Sequence, residues 1–381
     1  MTAKATVRFD RLEYIHVPVS PRTEWTFVEI TETSGLVAST EITSGHATPQ
    51  AVSELNGLFH VLKGVAIKDE SDLHGLCRLS DVEIHGNLPL SAAMSTLRTA
   101  VVDIQAQAAG ASMTEALGGA FTESVRLYAN INRCLLSDRS PLSFGKAAER
   151  AVNDGFVIVK CAPFDEVKPF ATEGEILDMA APGIRRVAAV RAAVGPDVQV
   201  LVDCHSRFQV QTALLVADEL ARLDVGWFEE PLDPLTDAQG LARVAAALSM
   251  PVPGGEKGYG EGFFKALLED RAVGIIMPDI KYCGGVAEAV KAGRCAERLG
   301  GDISLHSPSG PVSQLHSAHV TAALPHSLAL EHAVYETPWR ADLIEPPERI
   351  ECGRLRIPPG PGLGARLDQR AVERYGRRLK P

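Results

Sequence analysis

Cysteine is scarce and unpatterned in this chain of 381 residues: Cys77, Cys134, Cys161, Cys204, Cys283, Cys295 and Cys352. No two form a Cys-x-x-Cys pair, and an odd, scattered set points to neither a disulfide framework nor a zinc ribbon. Cations are outnumbered, with 38 Lys and Arg against 48 Asp and Glu, a net charge of −10. An acidic chain without a basic block is not built for non-specific nucleic-acid binding or for an anionic membrane surface. No apolar run reaches the roughly 18 residues of a membrane span. The opening Met1-Thr-Ala-Lys-Ala lacks an apolar leader core, so a reduced, cytoplasmic setting is expected. Gly254, Gly255, Gly258 and Gly260 do not follow the dinucleotide spacing in a strand–helix context, which removes nucleotide binding. What remains, 45% apolar and 23% charged residues, is ordinary globular composition in a chain long enough for more than one folding unit.

Two textures divide the chain. Residues 7–15 and 24–43 read as strands, with a hairpin turning at Thr33-Ser-Gly35, and 51–62 and 90–108 read as helices. Strands followed by helices suggest a small α+β unit over 1–122. From about Val125, short apolar runs alternate with amphipathic stretches at the spacing of one strand–helix unit. Strands are expected at 126–130, 156–161, 198–203, 226–229, 252–256, 274–278, 302–306 and 327–331. Seven helices separate them: 143–154, 175–194, 209–223, 235–247, 262–270, 286–299 and 311–323. The count favours an α/β architecture with a (β/α)8-like barrel over 123–335. A doubly wound open sheet gives no reason for polar residues at so many strand ends. The Pro- and Gly-rich tail, 336–381, is expected to return to the N-terminal unit.

Barrel active sites gather at the C-terminal ends of the strands. Those ends read Lys160, Asp203-Cys-His205, Glu229-Glu230, Glu256-Lys257, Asp279, His306 and Glu331. Asp203, Glu229 and Glu256 stand 26 and 27 residues apart, one strand–helix unit each. Three carboxylates converging in a mouth of low dielectric repel one another, and a divalent cation with oxygen ligands relieves this; such a set suits Mg2+. Helix capping explains any one of the acids but not three in register. Asp279 and His306, 27 apart, make a carboxylate–imidazole pair of the kind that forms a general base. His205 lies two residues after Asp203, where strand alternation turns it to the same cavity, as a proton donor or as a partner of the acid. Arg207 is a candidate contact for a carboxylate or hydroxyl, and Asp165 lies within reach of a substrate. His316, His319 and His326 are expected in core or solvated roles. His332 should alternate away from the cavity.

Lys160, Asp203, Trp227-Phe-Glu-Glu-Pro231, Gly254-Gly-Glu256, Met277-Pro-Asp279 with Gly284-Gly285, His306, Leu330-Glu331 and the closing Gly360-Pro-Gly-Leu-Gly364 together resemble the mandelate racemase branch of the enolase superfamily. The resemblance spans nearly the whole chain. It implies an N-terminal capping domain whose segment 17–25, with Arg22 and Trp25, closes over the mouth. It implies one Mg2+ per site held by Asp203, Glu229 and Glu256, and His306 with Asp279 as the base that removes a proton α to a carboxylate. It implies that Glu331 bonds the substrate carboxylate, and that the protein is a homo-oligomer acting on a small carboxylic acid. The branch often carries Lys-x-Lys on the second strand. Here Ala162 replaces the second lysine, which removes the ordinary second base of a racemase, while Lys160 remains to bind a carboxylate. Asp203-Cys-His205-Ser-Arg207 resembles the Asp-x-His pattern of acid-sugar dehydratases, in which the histidine protonates the departing hydroxyl. The leading expectation is therefore a hydro-lyase in carbohydrate catabolism that yields a 2-keto-3-deoxy acid. A racemase, epimerase or cycloisomerase is the alternative within the enzymes. A non-catalytic barrel that only binds its ligand is the alternative outside them.

Overall fold

The computed structural model describes residues 4–21 and 23–379. Arg22, expected in the closing segment, lies outside them. The chain opens with the strands β1 (Phe9–Ser20), β2 (Thr23–Glu32) and β3 (Val37–Glu41). They form an antiparallel meander in which Tyr14 faces Val28 and Val28 faces Thr40. Trp25 is fully buried, its ring edge-on to Trp339 at 6.0 Å. It is buried where the first sheet packs against the barrel and the tail, away from the mouth it was expected to close.

The helix Leu88–Ala108 is buried on nearly every side because small residues line it. Ser95 and Thr99 let the loop at Gly284 and Gly285 approach closely. Gly285 has φ +83°, and a side chain there would strike Thr99 Oγ1 at 2.7 Å. Left-handed backbone in tight contact is the situation that calls for glycine. Nearby, Arg98 ties the cap to the barrel: its Nε donates to Glu70 Oε2 at 2.5 Å and its Nη2 to Glu288 Oε2 at 2.6 Å. Burial opposes the guanidinium charge, but Glu70, Tyr259 and Glu288 hold its pKa above the ordinary value. Removing one partner of a buried ion network strands the other charges, at a cost of about 3–5 kcal/mol. Arg98→Ala is therefore expected to lower unfolding stability by that amount in denaturant titration. A loss under about 1 kcal/mol would mean that this junction does not hold the cap in place.

Eight parallel strands follow: β4 (Ser124–Asn130), β5 (Ile158–Cys161), β6 (Gln199–Asp203), β7 (Val225–Glu229), β8 (Pro253–Gly254), β9 (Ile275–Ile276), β10 (Asp302–Ile303) and β11 (Leu330–Ala333). β4 to β7 pair in order, β8 to β10 pair in order, and β11 pairs with β4. Backbone bonds bridge the gaps, from Phe228 N to Pro251 O and Glu230 N to Pro253 O, and from Leu328 N to Ile303 O and Glu331 N to Leu305 O, so the sheet closes into a barrel. The seven expected helices all form, with ends shifted by up to three residues. β8, β9 and β10 are only two residues long, so Glu256, Asp279 and His306 stand on the turns beyond the strands, not within them. The floor beneath the mouth is apolar, closed by Tyr128 and Trp227 edge-to-face at 5.5 Å with Leu201, Ile275 and Met277.

The tail does more than return to the cap. Its strand Arg377–Leu379 pairs with β1, and its strand Arg354–Arg356 pairs antiparallel with β4 at the barrel's N-terminal edge. Among the described residues no helix is long and apolar enough to cross a membrane.

Candidate active site

A cavity of about 620 Å³ opens at the C-terminal ends of the strands, lined by Asp203, His205, Glu256, His306 and Glu331 together with Asn130, Asn132, Arg133, Arg139 and Asp165. It adjoins a second cavity of about 480 Å³, which shares Arg133, His306 and Pro308 and is walled by the cap through Ser20, Thr23, Glu24 and Glu41. A larger cavity, about 940 Å³, lies at the opposite end of the barrel among Gln199, Gly226 and Pro251. None of the strand-end acids or histidines lines it, so the candidate site is the cavity at the C-terminal mouth.

Lys160 is wholly buried and points into this mouth. Its Nζ lies 2.6 Å from Glu229 Oε1, 2.9 Å from Glu331 Oε1 and 3.5 Å from Asp203 Oδ2. Burial disfavours the ammonium, but the carboxylates of Glu229, Glu331 and Asp203 hold its pKa well above the ordinary lysine value. The same crowding drives Glu229 the other way. Burial and repulsion from Asp203 and Glu331 push its carboxyl up in spite of Lys160, and its Oε2 is buried without a hydrogen-bond partner.

His306 stands on the other side. Its Nδ1 pairs with Asp279 Oδ2 at 2.9 Å, and its Nε2 faces Glu256 Oε2 at 3.0 Å. Burial opposes protonation, but Glu256 and Glu331 raise the imidazole's pKa well above its ordinary value. The reciprocal effect of His306 and Lys257 holds Glu256 well below the carboxylate range against its burial.

Strand alternation is not what brings His205 to the cavity. β6 ends at Asp203, and His205 and Ser206 are both left-handed, with φ +47° and +57°. That turn lets the His205 amide donate to Asp203 Oδ1 at 2.9 Å while its Nε2 sits 3.1 Å from Asp203 Oδ2. The Asp203 charge raises the pKa of His205. The turn also carries Arg207 away. Its guanidinium donates to the carbonyls of Val167 and Asp165 and does not line the cavity, so the expectation that it contacts substrate fails. Arg133 and Arg139 from the loop after β4 supply the cavity's cations instead.

Glu331 already has partners for both oxygens. Oε1 accepts from Asn130 Nδ2 at 2.7 Å and from Lys160, and Oε2 accepts from the Ser307 amide at 3.0 Å. It is placed to orient Lys160 as well as any ligand. Glu230, φ +38°, turns out of the cavity and accepts the amides of Gly255 and Glu256, which fixes the turn that presents Glu256. His319 bonds Thr114 Oγ1 and the Leu363 carbonyl, His316 is buried, His332 stacks on Phe156, and His326 is exposed, so all four lie outside the site.

Asp203, Glu229 and Glu256 thus reach one mouth, but among the described residues no three His, Cys, Asp or Glu side chains form a ready metal cluster. Asp203 and Glu229 share the Lys160 ammonium, and Glu256 faces His306. The donor chemistry nevertheless fits a hard cation: three carboxylates, mutual repulsion and one buried oxygen without a partner.

This fold and this ring of acids, lysine and histidines define a barrel enzyme class, and residues 143–371 match the Enolase C-terminal domain-like family. The chain belongs to the enolase superfamily. It is 33% identical to D-xylonate dehydratase of Haloferax volcanii over 74% of its own length and 69% of that protein's. It is 30% identical to D-galactarolactone cycloisomerase of Agrobacterium fabrum, over 74% and 73%. It superposes on the crystal structure of a mandelate racemase/muconate lactonizing enzyme from Sulfitobacter sp with a TM-score of 0.86 at 25% identity, covering 97% of this chain and 95% of that one.

Proposed function

We propose that the protein is a Mg2+-dependent dehydratase of a sugar acid, removing the C2 proton and the C3 hydroxyl to leave a 2-keto-3-deoxy acid. The observation that carries this is the pair of histidines on opposite sides of one acid-lined mouth, each paired with its own aspartate. Dehydration needs a base at C2 and an acid at C3 in different environments. His306 Nε2 takes the C2 proton while Asp279 holds the Nδ1 proton and the ring's orientation. The electrons of the C2–H bond first pass into the substrate's own carboxylate as an enediolate, and then return to form the C2=C3 bond as the C3–O bond breaks. His205 delivers its proton to the departing oxygen, so that water leaves, and the enol tautomerises to the ketone.

Asp203, Glu229 and Glu256 would hold the cation, which when bound would offset the repulsion among the three acids and stabilise negative charge on the substrate carboxylate. Lys160 places a fixed positive charge at the same carboxylate in a dry site, where such preorganised charge is most effective. Glu331 and Asn130 keep that ammonium in place. The relatives named as dehydratases of D-xylonate and, at 30% identity, of D-gluconate in Thermoproteus tenax support the substrate class. A cytoplasmic homo-oligomer remains part of the proposal, as does the division into a cap over 1–122, a barrel over 123–335 and a returning tail.

The test is proton NMR in D2O with Mg2+ against a panel of sugar mono- and diacids, run for wild type and for His205→Asn. Wild type is expected to convert one acid to its 2-keto-3-deoxy product. The variant is expected to exchange the C2 proton at a comparable rate while elimination falls at least about 100-fold. Deuterium at C2 with the hydroxyl retained in wild type would assign an epimerase or cycloisomerase instead. Loss of exchange and elimination together, with metal binding intact, would refute the acid role of His205.

A further inference from the structure

The loop after β9 holds a cation that the reaction scheme leaves unused. Asp279 is wholly buried, and three donors fix its carboxylate. Oδ1 accepts the amide of Lys281 at 2.8 Å. Oδ2 accepts His306 Nδ1 at 2.9 Å and also faces Lys281 Nζ at 3.0 Å. The base and the lysine therefore share one oxygen. Lys281 is itself anchored from the far side. Its ammonium bonds Ser309 Oγ, and the Ser309 carbonyl is held by Arg340 Nη1 at 2.6 Å. The next residue, Gly310, donates its amide to Glu41 at the end of β3, and Glu41 and Lys281 attract one another. A chain of contacts thus runs from the cap, through Lys281, to the carboxylate behind His306.

We propose that Lys281 is a positioning residue for the His306–Asp279 pair, locking the Asp279 carboxylate in one rotation and coupling it to the cap through Ser309, Gly310 and Glu41. This rests on the reading of His306 as the base. An aspartate χ2 is broad and nearly two-fold, so a carboxylate held only by His306 and the Lys281 amide, one donor on each oxygen, can still rock about that bond. With the Lys281 amide on Oδ1 and its ammonium on Oδ2, turning breaks both bonds at once. The imidazole then keeps a fixed direction, with Nε2 toward the cavity. Lys281 also lines the cap-walled cavity. Cap residues seated around that cavity are therefore mechanically connected to the base without touching it.

Two measurements on the full-length protein test this. The first compares wild type, Lys281→Met and Lys281→Arg with protiated and 2-deuterated D-xylonate and D-gluconate in the presence of Mg2+. A misaimed base slows proton transfer specifically. Lys281→Met is expected to lower kcat between about 10- and 100-fold with little change in KM, and to raise the primary isotope effect. Lys281→Arg is expected to recover part of the rate. A lower kcat with an unchanged isotope effect, or an unchanged kcat, overturns the proposal. The second needs no substrate: nitrogen NMR of protein labelled with 15N-histidine, the His306 signals being those missing from His306→Asn. The His306 Nδ1 resonance is expected to move in Lys281→Met and to return toward its place in Lys281→Arg; an unchanged resonance overturns the proposal. If wild type removes the α-proton of neither acid, the choice of these two substrates is what fails, and the nitrogen spectra alone decide for or against Lys281. If Lys281→Met does not fold, Lys281→Gln takes its place in both measurements.

Discussion

His306→Asn is expected to abolish exchange of the substrate's α-proton, by at least about 10²–10⁴-fold, while Mg2+ still raises the melting temperature. The expectation follows from the division of labour around the ring. Nδ1 belongs to Asp279 at 2.9 Å, so only Nε2 is left to meet a substrate. Asparagine can still donate to Asp279 through its amide, which keeps the carboxylate partnered and limits the damage to packing. It offers no nitrogen lone pair of comparable basicity to the cavity. His306 is not one of the three acids proposed to hold the cation, although it faces Glu256 at 3.0 Å. Metal-dependent stabilisation should therefore survive, and the variant should bind Mg2+ at least as tightly as wild type once Glu256 is free of its imidazole. Exchange within a few-fold of the wild-type rate would remove His306 as the base. Loss of the Mg2+ effect together with exchange would place His306 in the metal site instead.

Much of the barrel was legible because its period is coarse. An apolar run, a polar strand end and an amphipathic helix repeat at one spacing, and the ends of successive runs name Lys160, Asp203, Glu229, Glu256, Asp279, His306 and Glu331 without any knowledge of the loops. What failed was local. Strand alternation predicts that His205 faces the cavity, but it is a left-handed turn beyond the strand that brings it there. The same turn sends Arg207 to backbone carbonyls, a direction that no spacing rule encodes. The family resemblance implies a lid role for Trp25, but its ring is claimed by Trp339 from a tail more than 300 residues away. Asn130 and Arg133 were passed over because the first barrel strand ends in an amide and not in an acid. Their importance lies in partners, Glu331 and Glu336, contributed by the last strand and the segment after it. Glu230 looked like half of a doubled acid, yet it fixes the turn at Glu256. Each of these depends on where one chain segment meets another, which periodicity does not carry.

Lys160→Met is expected to destabilise the protein by about 3–5 kcal/mol near neutral pH without Mg2+, and by much less with it. Among the described residues Lys160 is the one ammonium placed against Asp203, Glu229 and Glu331 together. Methionine keeps the length of the side chain and most of its packing over the Tyr128 ring, but it leaves three carboxylates facing one another in a dry mouth. The pH dependence has a definite sign. Burial and its neighbours already push the Glu229 carboxyl above the ordinary glutamate value, and removing Lys160 pushes it further. A carboxyl whose folded pKa exceeds its unfolded one binds more protons when folded. Its contribution is harmless below the unfolded value and turns destabilising as pH rises above it. The deficit of the variant should therefore be small near pH 4, grow through the range above and be largest toward pH 8. A divalent cation supplies positive charge at two of these acids, Asp203 and Glu229, so saturating Mg2+ should recover most of the loss at pH 8 and little at pH 4. Denaturant unfolding at the two pH values, with Mg2+ and with a chelator, measures all four quantities. A deficit that is the same at both pH values would mean that lost packing, not the stranded carboxylates, accounts for it. A deficit that grows with pH but ignores Mg2+ would mean that Asp203, Glu229 and Glu256 do not share a cation.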